Sequence, residues 1–163
     1  MSIKLRKLEP SDVPFLYQWE NDALSWADGD NHNPLSQQDL RDYIESTIGD
    51  IYRDGQLRLI VCENDLTLGC IDLFDFDPRN RKAAIGMYIA PEARGKGVGK
   101  AAVEALEKYA FGHLNLRLIY AIIADSNTAC TALYRSLHYL PAAQLPDWTL
   151  EGPATIWIKK ATH

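Results

Sequence analysis

Cysteine is scarce in this sequence, and its spacing excludes two common kinds of small stabilised domain. Cys62, Cys70 and Cys130 are odd in number and widely separated, and no CxxC occurs. This pattern fits reduced thiols and excludes a disulfide framework or a cysteine-based zinc site. No apolar run reaches the length of a membrane span, and the N-terminal MSIKLRKLEP lacks the apolar stretch of a signal peptide. We therefore expect a cytoplasmic protein that does not enter a membrane.

Positive charge is also in deficit. The 163 residues carry 17 Lys and Arg against 22 Asp and Glu, a net charge of −5. A general nucleic-acid binder would have the opposite balance, whereas local carboxylates can attract cationic small molecules or basic peptides. The four histidines show no metal-ligand spacing, so no metal site is expected. The length fits a single domain over residues 1–163.

The N-terminal third predicts one strand and two helices. Apolar residues nearly alternate over 3–8, which indicates a strand, and Ser11 is a suitable N-cap for a helix that begins at the next residue. Residues 21–35 are polar and predict a loop. Ser36 is the expected N-cap of a second helix that ends at 54–55. The apolar face of that helix would contain Leu40, Tyr43, Ile44, Ile48, Ile51 and Tyr52.

The remaining residues predict a sheet of mixed direction. Apolar runs predict strands at 57–63, 67–76, 83–90 and 117–123, helices at 97–112 and from 125–126 to about 137, and two final strands on either side of a turn at 151–153. The strand, helix and strand over 83–123 should form a right-handed βαβ crossover. The order is β-α-α-β-β-β-α-β-α-β-β. It predicts an α/β fold with a mixed, mostly antiparallel sheet of about seven strands and helices on both faces.

The stretch PEARGKGVGKAAVEAL, residues 91–106, places three glycines beside three cations where a strand leads into a helix. The first amides of a helix have no internal partners and carry the positive end of its dipole. Glycine allows a ligand to approach the backbone closely. This arrangement predicts a site for a phosphate or pyrophosphate.

Three interpretations of the glycines compete before any resemblance is considered. A Walker A loop fails, because it needs glycine at the position of Arg94 and Ser or Thr at that of Ala101. A dinucleotide fingerprint matches formally, but the acidic residue expected about 20 positions later is Arg117. The preceding element order also differs from that of a doubly wound nucleotide fold. A glycine-rich helix start without a ligand is the remaining alternative.

Two motifs resemble the GNAT acetyltransferase superfamily. RGKGVG, residues 94–99, is similar to its Q/R-x-x-G-x-G/A acyl-CoA loop. NTACTALYRSLHY, residues 127–139, is similar to its N-x-x-A/S-x-x-L-Y-x-x-x-G-F segment, with Cys130 at the small position and His138-Tyr139 in place of Gly-Phe. The element order also resembles the GNAT fold. WENDALSW and GCIDLFDFDPRNRKA are closest in appearance to the spermidine/spermine and ribosomal-protein acetyltransferase branch.

The resemblance implies transfer of an acetyl group from acetyl-CoA to a primary amine, by direct attack in a ternary complex. The backbone of 94–100 would hold the CoA pyrophosphate, and an amide near Ile89 would polarise the acetyl carbonyl. Tyr134 would be the general acid that protonates the departing thiolate; its alternative role is that of a packed helical tyrosine. The residues that the resemblance assigns to the cofactor are Met87, Tyr88, Ile89, Arg94, Gly95, Lys96, Gly97, Val98, Gly99, Lys100 and Asn127.

The general base is less defined. Polyamine acetyltransferases usually carry a carboxylate early in the strand before the glycine loop, and here that position is Ala84. Asp72 and Asp75 on the preceding strand are the candidates, although they alternate to opposite faces. Asp72 is the expected base, with an ion pair to Arg81 or a loop cap as its structural alternative.

The acceptor is expected to be a polyamine such as spermidine or spermine. Asp28 and Asp30, in the acidic segment 20–33, and Asp75 would bind it, with a solvated acidic loop as the alternative. A protein N-terminal amine is the second candidate acceptor. A non-catalytic acyl-CoA-binding sensor domain is the alternative from a different class. The resemblance also implies assembly as a homo-oligomer.

Overall fold

A computed structural model describes residues 2–21 and 34–162 of the chain. In this described part, seven strands form one sheet in the order β1-β2-β3-β4-β5-β7-β6, and β4 with β5 is its one parallel pair. The predicted mixed sheet and the βαβ unit are confirmed. The strands are β1 (Ile3–Lys7), β2 (Leu57–Glu63), β3 (Leu66–Asp77), β4 (Lys82–Ile89), β5 (Leu118–Ala124), β6 (Leu140–Thr149) and β7 (Gly152–Lys160).

Helices cover both faces of the sheet, as predicted. They are α1 (Val13–Glu20), α2 (Gln37–Ser46), α3 (Ile51–Asp54), α4 (Val98–Gly112) and α5 (Thr128–Ser136). Strand side chains alternate between the faces, so each face has its own apolar core. The smaller core contains Leu16 and Trp19 of α1 and Leu40 of α2 against Ile60. The larger core contains α4 and Tyr134 of α5. None of the described helices has the length and apolar content needed to cross a bilayer.

The second helix is shorter than predicted. Ser36 does cap it, because its hydroxyl accepts from the amide of Asp39 at 2.9 Å and the Asp39 carboxylate accepts from the Ser36 amide at 2.9 Å. The helix ends at Ser46, however, and a separate turn forms α3. Gly49 has a φ of +72° and Asp50 is the N-cap of α3, so the chain leaves one helix and starts another here. The Asp54 carboxylate accepts from the hydroxyl of Thr47 at 2.8 Å across the break. Ile48 and Tyr52 are consequently exposed, and the expectation that both lie on a buried helical face is wrong.

Two other helix starts differ from the sequence prediction by a few residues. A 3₁₀ turn over Pro10–Asp12 precedes α1 with Glu9 as its N-cap, so Ser11 does not cap this segment. Asp12 accepts from Arg6 at 2.8 and 2.9 Å, which satisfies its buried carboxylate. Helix α5 begins at Thr128, and Asn127 is the N-cap.

Candidate active site

Strands β4 and β5 separate along their length and leave a gap in the sheet. They pair from Lys82 opposite Leu118 to Ala84 opposite Tyr120. Beyond these pairs β4 continues beside β3 and β5 continues beside β7, but the two are no longer bonded to each other. The later part of β4 therefore has a backbone edge that no described strand covers, which is suited to an extended ligand.

Backbone alternation decides which peptide groups face this gap. The amide of Ala90 donates to Leu68 of β3 at 2.8 Å. Because successive peptide groups in a strand point to opposite sides, the peptide groups of Ile89 and Met87 face the gap. By the same alternation from Ala90, the peptide groups of Tyr88 point toward β3, so its backbone does not face the predicted pantetheine path.

The glycine stretch forms the start of α4 beside this edge. Gly95 and Gly97 have φ values of +75° and +82°, a conformation that favours glycine. Gly97 is the N-cap, and the first helical hydrogen bond runs from the amide of Ala101 to the Gly97 carbonyl at 3.1 Å. The preceding amides, those of residues 98–100, lack an acceptor within the helix and form the positive end of its dipole. These groups can hold a phosphate or pyrophosphate.

The cations of the glycine stretch form hydrogen bonds that hold the loop, and they also give it positive charge. The Arg94 Nε donates to the Ile89 carbonyl at 2.7 Å, and its guanidinium lies 5.3 Å from the centre of the Tyr88 ring. The Lys96 ammonium donates to the Glu92 carbonyl at 3.0 Å. Arg94 thus ties the loop to the end of β4, and the exposed Lys100 adds charge in the first turn of α4.

Gly99 lies in close contact with two neighbouring elements. A Cβ at this position would lie 3.0 Å from the Cε of Met87 on β4 and 3.7 Å from the Cδ2 of Leu133 on α5. The glycine lets α4 approach both neighbours. The later part of β4, the start of α4 and Leu133 of α5 therefore lie close together, and the resemblance implies that CoA binds along this edge.

Tyr134, the predicted general acid, follows Leu133 in α5. Tyr134 is buried in the larger core, in contact with the ring of Tyr139 at a centroid distance of 4.9 Å. Burial raises the pKa of Tyr134, so the phenol carries its proton at neutral pH. Asn127 lies at the N-terminal end of the same helix, and its side-chain oxygen accepts from the Cys130 amide at 3.1 Å. Only the NH₂ group of Asn127 can donate to a ligand.

The carboxylates that the sequence suggested for binding the acceptor amine do not form one group in the described residues. Both oxygens of Asp72 accept from Arg58 at 2.9 Å, and Arg58 also contacts Glu20. Asp72 is therefore an ion-pair partner, and its partner is Arg58, not Arg81. Asp75 is exposed in an irregular part of β3, with a φ of +48°. Asp28 and Asp30 lie outside the described residues.

Sequence reasoning missed Arg58, the cation that lies between the carboxylates of Glu20 and Asp72. Arg58 lies opposite Asp72 in the β2–β3 pair, and its pKa is raised well above its ordinary value. Although burial opposes the charge, the surrounding negative groups, Asp72 first, more than compensate for it. The set of Glu20, Asp72 and Arg58 has two carboxylates and one guanidinium, a net charge of −1.

The backbone at the end of α5 shows why the GNAT pattern has Gly-Phe where this chain has His138-Tyr139. The amide of His138 donates to the Arg135 carbonyl at 3.0 Å and that of Tyr139 to the Tyr134 carbonyl at 3.1 Å. These two bonds and the Tyr134–Tyr139 ring contact form a Schellman motif, in which the residue after the helix is left-handed and usually glycine. His138 occupies that position with a φ of +69°.

We expect His138→Gly to stabilise the fold by about 1 kcal/mol, because it removes the steric cost of a left-handed side chain. Thermal unfolding should show a rise in Tm of about 2–4 °C for a domain of this size. His113→Gly is the matched control, since His113 also ends a helix but has a φ of −96°. That control should give no gain. A lower Tm for His138→Gly would mean that the imidazole stabilises the turn.

Comparisons with known proteins agree with this geometry. The family model described as an acetyltransferase (GNAT) domain matches residues 2–139. The spermidine N(1)-acetyltransferase of Escherichia coli (strain K12) is 28% identical over 148 residues, which are 88% of this chain and 76% of that protein. The putative ribosomal N-acetyltransferase YdaF of Bacillus subtilis (strain 168) is 37% identical over 79 residues, 48% of this chain and 43% of that protein.

Solved structures of one further relative have the same fold. The spermidine N-acetyltransferase from Vibrio cholerae in complex with CoA and spermine has a TM-score of 0.84 and 22% identity, covering 97% of this chain and 95% of that chain. Its dodecameric structure in an intermediate state has a TM-score of 0.81 and 22% identity, covering 97% and 93%. Together with the family match over most of its length, the sheet, gap and glycine loop establish that this chain belongs to the GNAT family of acetyltransferases, the acetyl-CoA-dependent N-acetyltransferases.

Proposed function

We propose that the chain acetylates a primary amine of a polyamine such as spermidine or spermine. The observation that carries the proposal is the gap between β4 and β5, where the amide of Ile89 and the core containing Tyr134 meet the start of α4. The likeness to the E. coli spermidine enzyme over 88% of this chain supports the polyamine as acceptor. The solved relative with CoA and spermine supports the same choice.

The residues around the gap have separate tasks in this proposal. The amides of 98–100 hold the pyrophosphate, and the peptide groups of Met87 pair with the pantetheine arm. Acetyl-CoA supplies an activated acetyl thioester. The Ile89 amide points into the gap, where a donor would stabilise negative charge on the acetyl oxygen. Tyr134 gives its proton to the departing thiolate.

The acceptor must lose a proton before it attacks. An amine with a pKa near 10.4 is neutral in roughly one molecule in 2,500 at pH 7, a cost of about 4.6 kcal/mol. The cluster of Glu20, Asp72 and Arg58 has a net charge of −1 on the α1 and α2 side of the sheet and would attract the ammonium. Because Asp72 is bound by Arg58 through both oxygens, we assign it to attraction and orientation of the amine and leave the predicted role of general base as a hypothesis.

Incubation with acetyl-CoA and spermidine, followed by mass spectrometry of the amine, tests the proposal. The expected product has gained one acetyl group. An acetylated peptide N-terminus with unmodified polyamine would favour the second acceptor class, which the match to the ribosomal N-acetyltransferase-like protein supports. Tight CoA binding without any acetylated product would favour an acyl-CoA sensor and contradict catalysis.

We also propose that a second copy of the chain covers β6. This strand is at the edge of the sheet, and its side chains are almost all exposed, including Leu140 at 67% and Trp148 at 57%. Pro141 and Pro146 lack amide donors, and the register shifts twice along the strand, so open-ended strand addition is blocked. Side-chain packing is the remaining way to bury this apolar surface.

Light scattering after size exclusion should therefore show a homo-oligomer. Trp148→Glu should shift the protein to monomers, because it places a charge in the apolar contact. Leu66→Glu is the control, as Leu66 is 65% exposed on β3, away from β6. An unchanged mass for Trp148→Glu, or a monomeric parent protein, would place the assembly surface elsewhere.

A further inference from the structure

Tyr139 adds a hydroxyl to the position where the resembling family pattern has phenylalanine. The residue is 1% exposed, and its ring meets that of Tyr134 edge-on, with an interplanar angle of 90°. The Schellman motif also joins the two residues through the backbone. The two residues are therefore in contact through both their rings and their backbones at the end of α5.

The added hydroxyl lies beside a buried carboxylate on the neighbouring helix. Glu107 of α4 is 7% exposed, and its Oε2 accepts from the Lys159 ammonium of β7 at 2.7 Å. Its Oε1 and the Tyr139 hydroxyl are both buried, and neither makes a hydrogen bond of standard geometry among the described residues. They nevertheless lie close enough to interact, because burial raises the pKa of Tyr139 first and Glu107 raises that pKa further, through its charge and as a hydrogen-bond acceptor. Lys159 also lies over the Tyr139 ring, 5.7 Å from its centre.

An unpaired phenol and an unpaired carboxylate oxygen are both costly in a protein interior, and each is the natural partner of the other. Solvent also lies close to Glu107 and Lys159, although Tyr139 does not line the cleft that brings it there. Glu107 and Lys159 line a cleft of about 530 Å³ between α4 and the residues that follow α5, and this cleft opens to solvent. A single water with these polar neighbours would have the partners that buried waters usually have.

We propose that the Tyr139 hydroxyl donates to Glu107 Oε1, directly or through one water, and that both residues are positioning residues for Tyr134. The inference rests on the proposed function, in which Tyr134 protonates the departing thiolate. Lys159 holds Glu107, Glu107 holds Tyr139, and Tyr139 fixes the plane of the Tyr134 ring. The phenol is thereby held at one angle to the gap, and general acid catalysis depends strongly on such geometry.

Steady-state kinetics on the full chain test the coupling. Glu107→Gln and Tyr139→Phe should each lower kcat by about fivefold, the effect of one hydrogen bond, while KM for acetyl-CoA stays within about twofold. The double variant should be no slower than the slower single variant, since both changes act on the same contact. The matched control is Glu104→Gln, which changes an exposed carboxylate one turn earlier on α4 and should leave kcat unchanged.

A second comparison separates positioning from general stability. In a Tyr134→Phe background, Glu107→Gln should change kcat by less than about twofold, because the hydroxyl that it positions is gone. Effects of the two single variants that multiply, or a Glu107→Gln effect that persists in this background, would overturn the proposal. Tyr139→Phe restores the family residue and keeps the ring, so it serves as the folded test if Glu107→Gln does not fold.

NMR of protein labelled at tyrosine ¹³Cζ can contradict the inference without any turnover. The Tyr134 and Tyr139 signals are assigned from their Phe variants. Glu107→Gln should shift both signals, and Glu104→Gln should shift neither. A Tyr134 signal that does not respond to Glu107→Gln would contradict the positioning role. Failure of the proposed function would be seen separately, as absence of acetylated amine or as an unchanged kcat in Tyr134→Phe.

Discussion

Tyr134→Phe should lower kcat by about 10²-fold and leave the affinity for CoA nearly unchanged. The phenol gives the proton that the thiolate leaving group needs, and loss of a general acid costs on this scale. The ring stays in the buried contact with Tyr139, so the fold should be kept. Kinetics with saturating acetyl-CoA and amine give kcat, and calorimetric titration with CoA gives Kd.

The control for this variant is Tyr52→Phe, which removes a hydroxyl that donates to the Leu114 carbonyl at 3.2 Å far from the gap. It should leave kcat unchanged. Because burial raises the pKa of Tyr134, the parent enzyme should also show no alkaline loss of activity from this group below the ordinary tyrosine pKa of about 10. An unchanged kcat in Tyr134→Phe would remove the residue from the chemistry and reduce it to a packed helical tyrosine.

Gly97→Val should weaken CoA binding by at least about tenfold, or about 1.4 kcal/mol. A β-branched residue is strongly disfavoured at the φ of +82° found at this N-cap. The start of α4 must then shift, and the amides of 98–100 no longer converge on the pyrophosphate. Titration with CoA measures the loss directly and does not depend on which amine is the acceptor.

Gly55→Val is a closely matched control for backbone strain. Gly55 is the C-cap of α3 with a φ of +75°, and a Cβ there would meet nothing within 4 Å. Both variants should therefore lose comparable stability in thermal unfolding, about 1–2 kcal/mol. Only Gly97→Val should lose CoA affinity. Equal loss of CoA binding in the two variants would mean that the effect is general destabilisation, and the α4 cradle would not be the CoA site.

The βαβ unit and its glycine loop were predictable from the sequence because their determinants are local. Gly95 and Gly97 adopt the positive φ that a turn into a helix needs, and the apolar runs on either side match the length of strands. Apolar periodicity missed the break after Ser46, because the pattern runs across the left-handed Gly49 and the N-cap Asp50 that separate the two helices.

The Arg58–Asp72 pair could not be predicted, because it depends on a register shift between β2 and β3. Near the β2–β3 turn, Glu63 pairs with Leu66, and a regular ladder from there would place Arg58 opposite Ile71. A register shift between Val61 and Cys62 places it opposite Asp72 instead. A one-residue slip moves side chains to the other face, so sequence spacing alone could not identify the partner of Asp72.

The departures from the family pattern at His138 and Tyr139 were visible in the sequence. Their effects on the backbone and on neighbouring side chains could be seen only in the folded structure. The left-handed backbone of His138 follows from the Schellman motif, and the position of the Tyr139 hydroxyl beside Glu107 follows from the packing of α4 against α5. Residues 107 and 139 are far apart in sequence, and no periodicity connects them.

Release of free thiol from acetyl-CoA across a panel of amines tests the central claim most directly. The panel contains spermidine, spermine, putrescine, free amino acids and short peptides. Polyamine acetylation predicts turnover with spermidine or spermine that exceeds the rate with every peptide and amino acid. Turnover with peptides alone, or tight CoA binding with no thiol release for any amine, would contradict it.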